Sequence, residues 1–240
     1  IKLGGRQHCY CVLKPCFTRI VRQCMKEGKL FTKQDALLLE EIILNRRDVR
    51  GNHFIDEPLN DDCLDKLIDA ALHAPSVGFS QPWEFVIVRD KAIRHQIKES
   101  FESAHTKESF YFKDEKHREY IQLKLEGILE SSLNIAVFYK PNLEPVLGQT
   151  NMKEAGLYSV VCAIQNMWLM SRALNIGMGW VSILNAGKIK DILKAPEENQ
   201  LIAYLCVGHV DKFLEQPELE TLQWEKRKGK ENLIFFNQYK

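Results

Sequence analysis

The chain has no surplus of either charge: across 240 residues, 33 Lys and Arg stand against 32 Asp and Glu, a formal net charge of +1. Without a global field, neither nucleic acid nor an anionic membrane surface is drawn to it, so any anion it binds must be held by a local cluster. Long apolar runs are missing too. None approaches the roughly 20 residues that span a bilayer, and polar breaks such as Gln165 and Asn166 interrupt the uncharged stretches. A soluble protein is expected, with no nucleic-acid and no membrane partner. No G-x-x-x-x-G-K-[ST] loop is present for a nucleoside triphosphatase and no G-x-S-x-G elbow for an α/β-hydrolase. Gly177-Met178-Gly179 offers half of a dinucleotide fingerprint, but strand and helix come in the wrong order and the third glycine is absent. There is no internal repeat.

Paired C-x-x-C knuckles are also lacking. Cys9, Cys11, Cys16 and Cys24 crowd the beginning near His8 without the spacing of a zinc site, so no metal is expected, and Cys63, Cys162 and Cys206 read as small buried hydrophobes. Residues 1–24 show neither the apolar core nor the cleavage pattern of a secretory signal, and no disulfide framework is evident. A reducing, cytoplasmic compartment is the expectation. Residues 1–30 are expected to be an N-terminal extension, and 31–240 a single domain with a C-terminal arm.

What is present is a 45% hydrophobic chain with clear periodicity. Thr32 or Asp35 can cap a helix carrying Leu38, Leu39, Ile42 and Ile43 on one apolar face. That helix delivers the polar cluster Arg46-Arg47-Asp48-Val49-Arg50. Arginine's planar fork suits phosphate or carboxylate, while the plainer reading is a solvated helix end whose cations favour the dipole. Asn60 or Asp61 starts a second helix with Leu64, Leu67, Ile68, Ala71 and Leu72 inward, stopped by Pro75. A polar loop, Pro75-Ser76-Val77-Gly78-Phe79-Ser80-Gln81-Pro82-Trp83, then enters the apolar run 85–88, which reads as a central buried strand. A helix is predicted over 90–104, and the pattern loosens from His105 to about Lys116, exposing Phe110, Tyr111 and Phe112 as either a core anchor or the face of a lid. A helix through Tyr120, Leu123, Gly127 and Ile128 follows, then a strand at 135–139. The long helix 157–175 is apolar nearly all round. Gly177-Met178-Gly179 is read as its stop, and strands at 180–183 and 203–207 with a short helix at 188–193 complete an α+β pattern.

The arginine cluster, the Pro-Ser-x-x-x-x-Gln-Pro-Trp loop, the long apolar helix and its G-x-G-W-V-S exit together resemble the flavin-binding nitroreductase family, from about Asp35 to Asn237. The resemblance implies an FMN-binding fold, with a mainly antiparallel sheet flanked by helices, and a homodimer with flavin sites at its interface. Ordinary reductases of the family usually carry Ser or Thr after the paired arginines, and here the residue is Asp48. With Lys124-Leu125-Glu126-Gly127-Ile128 and Gly179-Trp180-Val181-Ser182-Ile183, this is similar to a flavin-fragmenting branch. There, reduced FMN is itself the substrate, molecular oxygen is co-substrate, and the ring breaks down to 5,6-dimethylbenzimidazole, the lower ligand of cobalamin. A separate flavin reductase would supply the reduced FMN.

The same resemblance implies residue roles. Arg46 and Arg50, assisted by Arg227, would hold the phosphate, although Glu225 stands two residues before Arg227 where lysine is usual. Arg47 would meet the polar edge of the ring, with Val49 in the same segment. Ser76 and Ser80 would offer hydrogen bonds, Lys124 would reach in from a lid helix, and the backbone around Gly179 and Trp180 would approach the ring closely. Asp48 would be the general base and Ser182 a hydrogen-bonding partner that positions oxygen or relays a proton, against the plainer readings of an Asp48 salt bridge and an ordinary strand serine. The main rival is an NAD(P)H-dependent nitroreductase or flavin reductase that keeps FMN intact.

Overall fold

The computed structural model describes residues 28–239, so the cysteine and histidine cluster at 8–24 lies outside the described residues. The chain divides into a segment ending at Leu39 and a compact body, Glu40–Lys240. The division falls inside helix α1 (Lys33–Asn45). Thr32 and Asp35 cap that helix reciprocally: Thr32 N–H donates to Asp35 Oδ2 at 2.8 Å and Asp35 N–H to Thr32 Oγ1 at 3.2 Å. The apolar face expected of α1 is real, but none of its residues is buried, and Ile43 and Leu44 stand exposed at its end.

The compact body is built on a four-stranded sheet in the order β1-β2-β4-β3, antiparallel throughout: β1 (Trp83–Val88), β2 (Leu133–Tyr139), β3 (Gly177–Val181) and β4 (Gln200–Gly208). The two central strands are apolar on both sides, as strands covered on both faces must be. Alternation divides their side chains. Ile135, Val137, Leu205 and Val207 pack against Leu67 and Ala71 of α2 (Asp61–Leu72) and Val160, Ile164 and Met167 of α5 (Ala155–Ala173). Ala136, Phe138, Tyr204 and Cys206 face the other way, against Ile97 and Phe101 of α3 (Lys91–Ser109) and Ile189 of α6 (Ala186–Leu193). A short helix α4 (Asp114–Gln122) precedes β2, and α7 (Glu218–Thr221) lies in the C-terminal arm.

Several expectations change. The run 85–88 belongs to β1, which among the described residues pairs only with β2 and so stands at the sheet edge rather than its centre. Helix α3 runs on to Ser109 because His105 stacks on Phe101 one turn earlier, with ring centroids 5.4 Å apart. The stretch after Gln122 is not helical: Gly51 N–H donates to Glu126 C=O at 2.8 Å, drawing 123–128 out as an extended connection. The left-handed turn after α5 is made by Asn175 (φ 55°), while Gly177–Gly179 are strand. Cys206 is buried as expected, but Cys162 and Leu72 are exposed. Among the described residues no helix is long and apolar enough to cross a membrane, and no group of three His, Cys, Asp or Glu side chains could hold a metal ion.

One polar chain crosses this core. Tyr204 Oη donates to Asn134 Oδ1 at 2.8 Å, and Asn134 Nδ2 donates to Ser131 Oγ at 2.8 Å, all three residues being buried. Tyr204→Phe strands the Asn134 oxygen, so we expect a loss of about 1–3 kcal/mol in urea unfolding, the usual cost of a buried unpaired acceptor.

Candidate active site

The arginine cluster is bound to strand β3 by its own backbone. Val49 N–H donates to Met178 C=O at 3.0 Å, and the Val49 carbonyl lies where a Cβ on Gly179 would be, so no larger residue fits there. Glycine at 179 therefore serves the crossing of two backbones, not only approach to a ligand. The crossing places Asp48 beside the strand end. Its Oδ1 accepts the Trp180 N–H at 3.1 Å, and its Oδ2 pairs with Arg50 Nη2. Arg50 also donates to the carbonyls of Leu125 (2.9 Å) and Trp180 (3.3 Å). The plainer reading of Asp48 as an ion-pair partner is thus present in the structure. The carboxylate is nonetheless 33% exposed, and it opens onto a cavity.

That cavity has a volume of about 680 Å³, within the range of cofactor sites. Arg46, Arg47, Asp48, Arg50, Lys124 and Arg227 all line it, so the structure brings together six of the residues singled out from the sequence. Gln165 of α5 and the arm residues Pro217, Leu219 and Leu222 complete it. Of the arm only Arg227 was expected here; Pro217, Leu219 and Leu222 belong to no motif that marks them in the sequence. Leu123 and Leu125 also line the wall.

The four arginines divide the work. Arg47 is occupied by main-chain carbonyls, with Nε donating to Leu214 (3.0 Å), Nη1 to Leu44 and Arg46 (2.8 Å each) and Nη2 to Glu215. It fastens the arm to the cluster instead of pointing its donors at a ring edge. Arg50 is taken up by Asp48. Arg46 lies over the Trp168 ring, 4.7 Å from its centroid, and among the described residues neither its guanidinium nor that of Arg227 has a carboxylate partner. These two are the groups open to an anion. The wall is densely cationic: burial first, then repulsion from Arg46, Arg172 and Arg227, lowers the pKa of Arg47.

Burial raises the pKa of Asp48 above the ordinary aspartate value, against the opposing pull of Arg50, the Trp180 N–H and Arg46. A carboxyl so placed takes a proton more readily than an exposed one. Lys124 sits not on a lid helix but on the extended connection, with Nζ 2.7 Å from both Glu126 Oε1 and Glu130 Oε1.

Other residues lie apart. Ser182 follows β3, is exposed and does not line the cavity. Trp180 reaches the site through its backbone, while its ring tilts against Trp168 at 6.4 Å. Neither Ser76 nor Ser80 lines the cavity. Ser76 Oγ accepts the Gln81 N–H at 3.1 Å, and Ser80 Oγ is buried with no partner among the described residues. Their loop holds Phe79 (φ 55°) and Gln81 (φ 47°) in the left-handed region, a strained conformation more usual at functional segments than elsewhere. Phe110 and Tyr111 are exposed, whereas Phe112 stacks on Tyr120 (4.7 Å) and meets Trp224 of the arm edge-on (5.2 Å).

Residues 43–209 match the Nitroreductase family, and the chain belongs to it. Among curated relatives it is 39% identical over 206 residues to a 5,6-dimethylbenzimidazole synthase of Rhodospirillum rubrum, covering 85% of this chain and 97% of that one. It is 33% identical over 196 residues to an enzyme of the same name from Rhodobacter capsulatus, covering 81% and 93%. Solved structures share the fold. An iodotyrosine deiodinase bound to FMN and 3-iodo-L-tyrosine superposes with a TM-score of 0.67 at 20% identity, over 84% of this chain and 100% of that one. A BluB-like flavoprotein from Clostridium difficile does so with a TM-score of 0.64 at 21% identity, over 83% and 99%.

The backbone crossing at Gly179 is testable by itself. Gly179→Ala forces the Val49 carbonyl away, and we expect about 1–3 kcal/mol of destabilisation, as for other overpacked sites, read from the urea midpoint.

Proposed function

We propose that this chain converts reduced FMN and molecular oxygen to 5,6-dimethylbenzimidazole, the activity named for its 39% and 33% identical relatives. The observation that carries the reading is Asp48: a carboxylate set among four arginines and a lysine at the wall of a flavin-sized cavity, with its proton affinity raised by burial. A reductase that merely passes electrons through FMN has no evident use for that base. Arg46 and Arg227 hold the phosphate dianion, with Arg50 keeping Asp48 in place. Reduced FMN, when bound, supplies both the electrons for oxygen and the ring that becomes product. Asp48 would accept a proton from it. The arm residues Pro217, Leu219 and Leu222 close the cavity against water.

The working unit is a homodimer. The exposed apolar residues Ile43 and Leu44 of α1 and Tyr158, Val161 and Met170 of α5 form surface that a second copy would cover. The Ser76–Ser80 loop, which does not line its own chain's cavity, would then complete the partner's. The protein works in the cytoplasm, and a separate flavin reductase delivers the reduced FMN.

The deciding experiment is aerobic incubation with chemically reduced FMN and mass spectrometry for 5,6-dimethylbenzimidazole. Intact FMN together with brisk NADPH-driven reduction of a nitroarene would sink the proposal in favour of the rival reductase. Asp48→Asn should keep FMN but make product about 100-fold more slowly or worse, the usual size of a general-base loss. Because Asp48 must be ionised to act, product formation in the wild type should fall as pH drops through a pKa above the ordinary aspartate value. That acid limb should be absent from Asp48→Asn. Arg227→Ala should weaken FMN by about tenfold or more and riboflavin, which lacks the phosphate, hardly at all, the loss of one charge-assisted contact; equal weakening of both in a titration would move the phosphate elsewhere.

A further inference from the structure

Behind Lys124 lies a carboxylate that the proposed chemistry does not use. Glu126 is 2% exposed, yet it is charged on all sides by design of its neighbours: Oε1 receives Lys124 Nζ at 2.7 Å and Lys98 Nζ at 2.8 Å, and Oε2 receives the Ile128 N–H at 2.8 Å. Burial alone would raise its pKa, but the two ammonium groups and that N–H outweigh burial and hold it below the usual glutamate value, so it stays ionised. Burial likewise works to lower the pKa of Lys124, and the hydrogen bonds it donates to Glu126 and Glu130 outweigh burial, leaving Lys124 cationic.

The backbone around this carboxylate is fixed to the arginine cluster. Gly51 N–H donates to Glu126 C=O (2.8 Å) and Arg50 to Leu125 C=O (2.9 Å). A Cβ on Gly51 would come within 2.6 Å of Lys124 Cε, so the lysine stem runs through space that only glycine leaves open. Lys98 of α3, 21% exposed and not part of the cavity lining, braces Glu126 and reaches Glu102 at 3.8 Å. A free lysine has four rotatable bonds. Here Glu126 and Glu130 together hold the ammonium at the cavity wall.

We propose that Glu126 is a positioning residue: braced by Lys98 and Ile128, it sets the Lys124 ammonium against the electron-rich edge of a reduced flavin in the cavity. The inference rests on the flavin reading above and assigns the part of the wall that distinguishes the reduced from the oxidised ring. A cation held beside the ring favours the more negative, reduced form. Removing a buried carboxylate that only neutralised two lysines would leave the wall more positive and move that preference the opposite way, toward the reduced form.

The test is anaerobic, so that FMN is not consumed. Wild type, Glu126→Gln, Lys124→Met and the double variant are titrated with oxidised FMN, and the midpoint potential of the bound flavin is read spectroelectrochemically. In Glu126→Gln, reduced FMN should lose about tenfold in affinity relative to oxidised FMN. For a two-electron couple that is a potential about 30 mV more negative. The shift should disappear when Lys124 is already methionine, as a double-mutant cycle requires of a residue acting through another. An unchanged or more positive potential in Glu126→Gln, or the same shift in the Lys124→Met background, overturns the proposal. Should Glu126→Gln fail to fold, Glu126→Asp, which keeps the charge but withdraws it by one methylene, carries the same comparison. A wild type that binds FMN without fragmenting it sinks the functional reading and leaves this test standing.

Discussion

Everything at the cavity depends on two backbones passing at a distance that only glycine permits. Val49 pairs with Met178 as an extra strand residue would, and its carbonyl fills the place of a side chain at Gly179. Because that contact is made by main chain, the cluster cannot rotate as a helix end could. Asp48 is held toward the Trp180 N–H, Arg50 toward the carbonyls of Leu125 and Trp180, and Gly51 toward Glu126. The sheet supplies the rigidity. Sites built on strands hold their groups more closely than sites on loops.

Charge is then sorted by partner. Of the cationic side chains lining the cavity, Arg47 is neutralised by carbonyl dipoles, Arg50 by a carboxylate and Lys124 by two carboxylates, while Arg46 rests on an indole face and Arg227 stands on the arm. Packing so many like charges together is tolerable only because most have been compensated locally. The uncompensated remainder is what an incoming dianion meets.

The sequence showed the site better than it showed the site's internal assignments. Residue types and order placed Arg46, Asp48, Lys124 and Arg227 at one cavity, since a cluster after a helix can be read in one dimension. Which arginine holds what could not be read there, because carbonyl acceptors at Leu214 and Glu215 lie more than 160 positions away and leave no mark in residue identity. Local period failed in the same manner at 123–128, where the apolar spacing fits a helix but a backbone bond from Gly51 draws the chain straight. The apolar face of helix α1 could be read and is unburied, for amphipathicity reports that a surface will be covered without saying by which chain. The central strands were legible because both their faces are apolar.

Arg47 has a consequence for how this protein can change. Its guanidinium grips the arm solely through carbonyl oxygens, at Leu214 and Glu215, and a carbonyl is the same in every residue. That grip therefore does not depend on which side chain stands at 214 or 215. It does depend on the arginine.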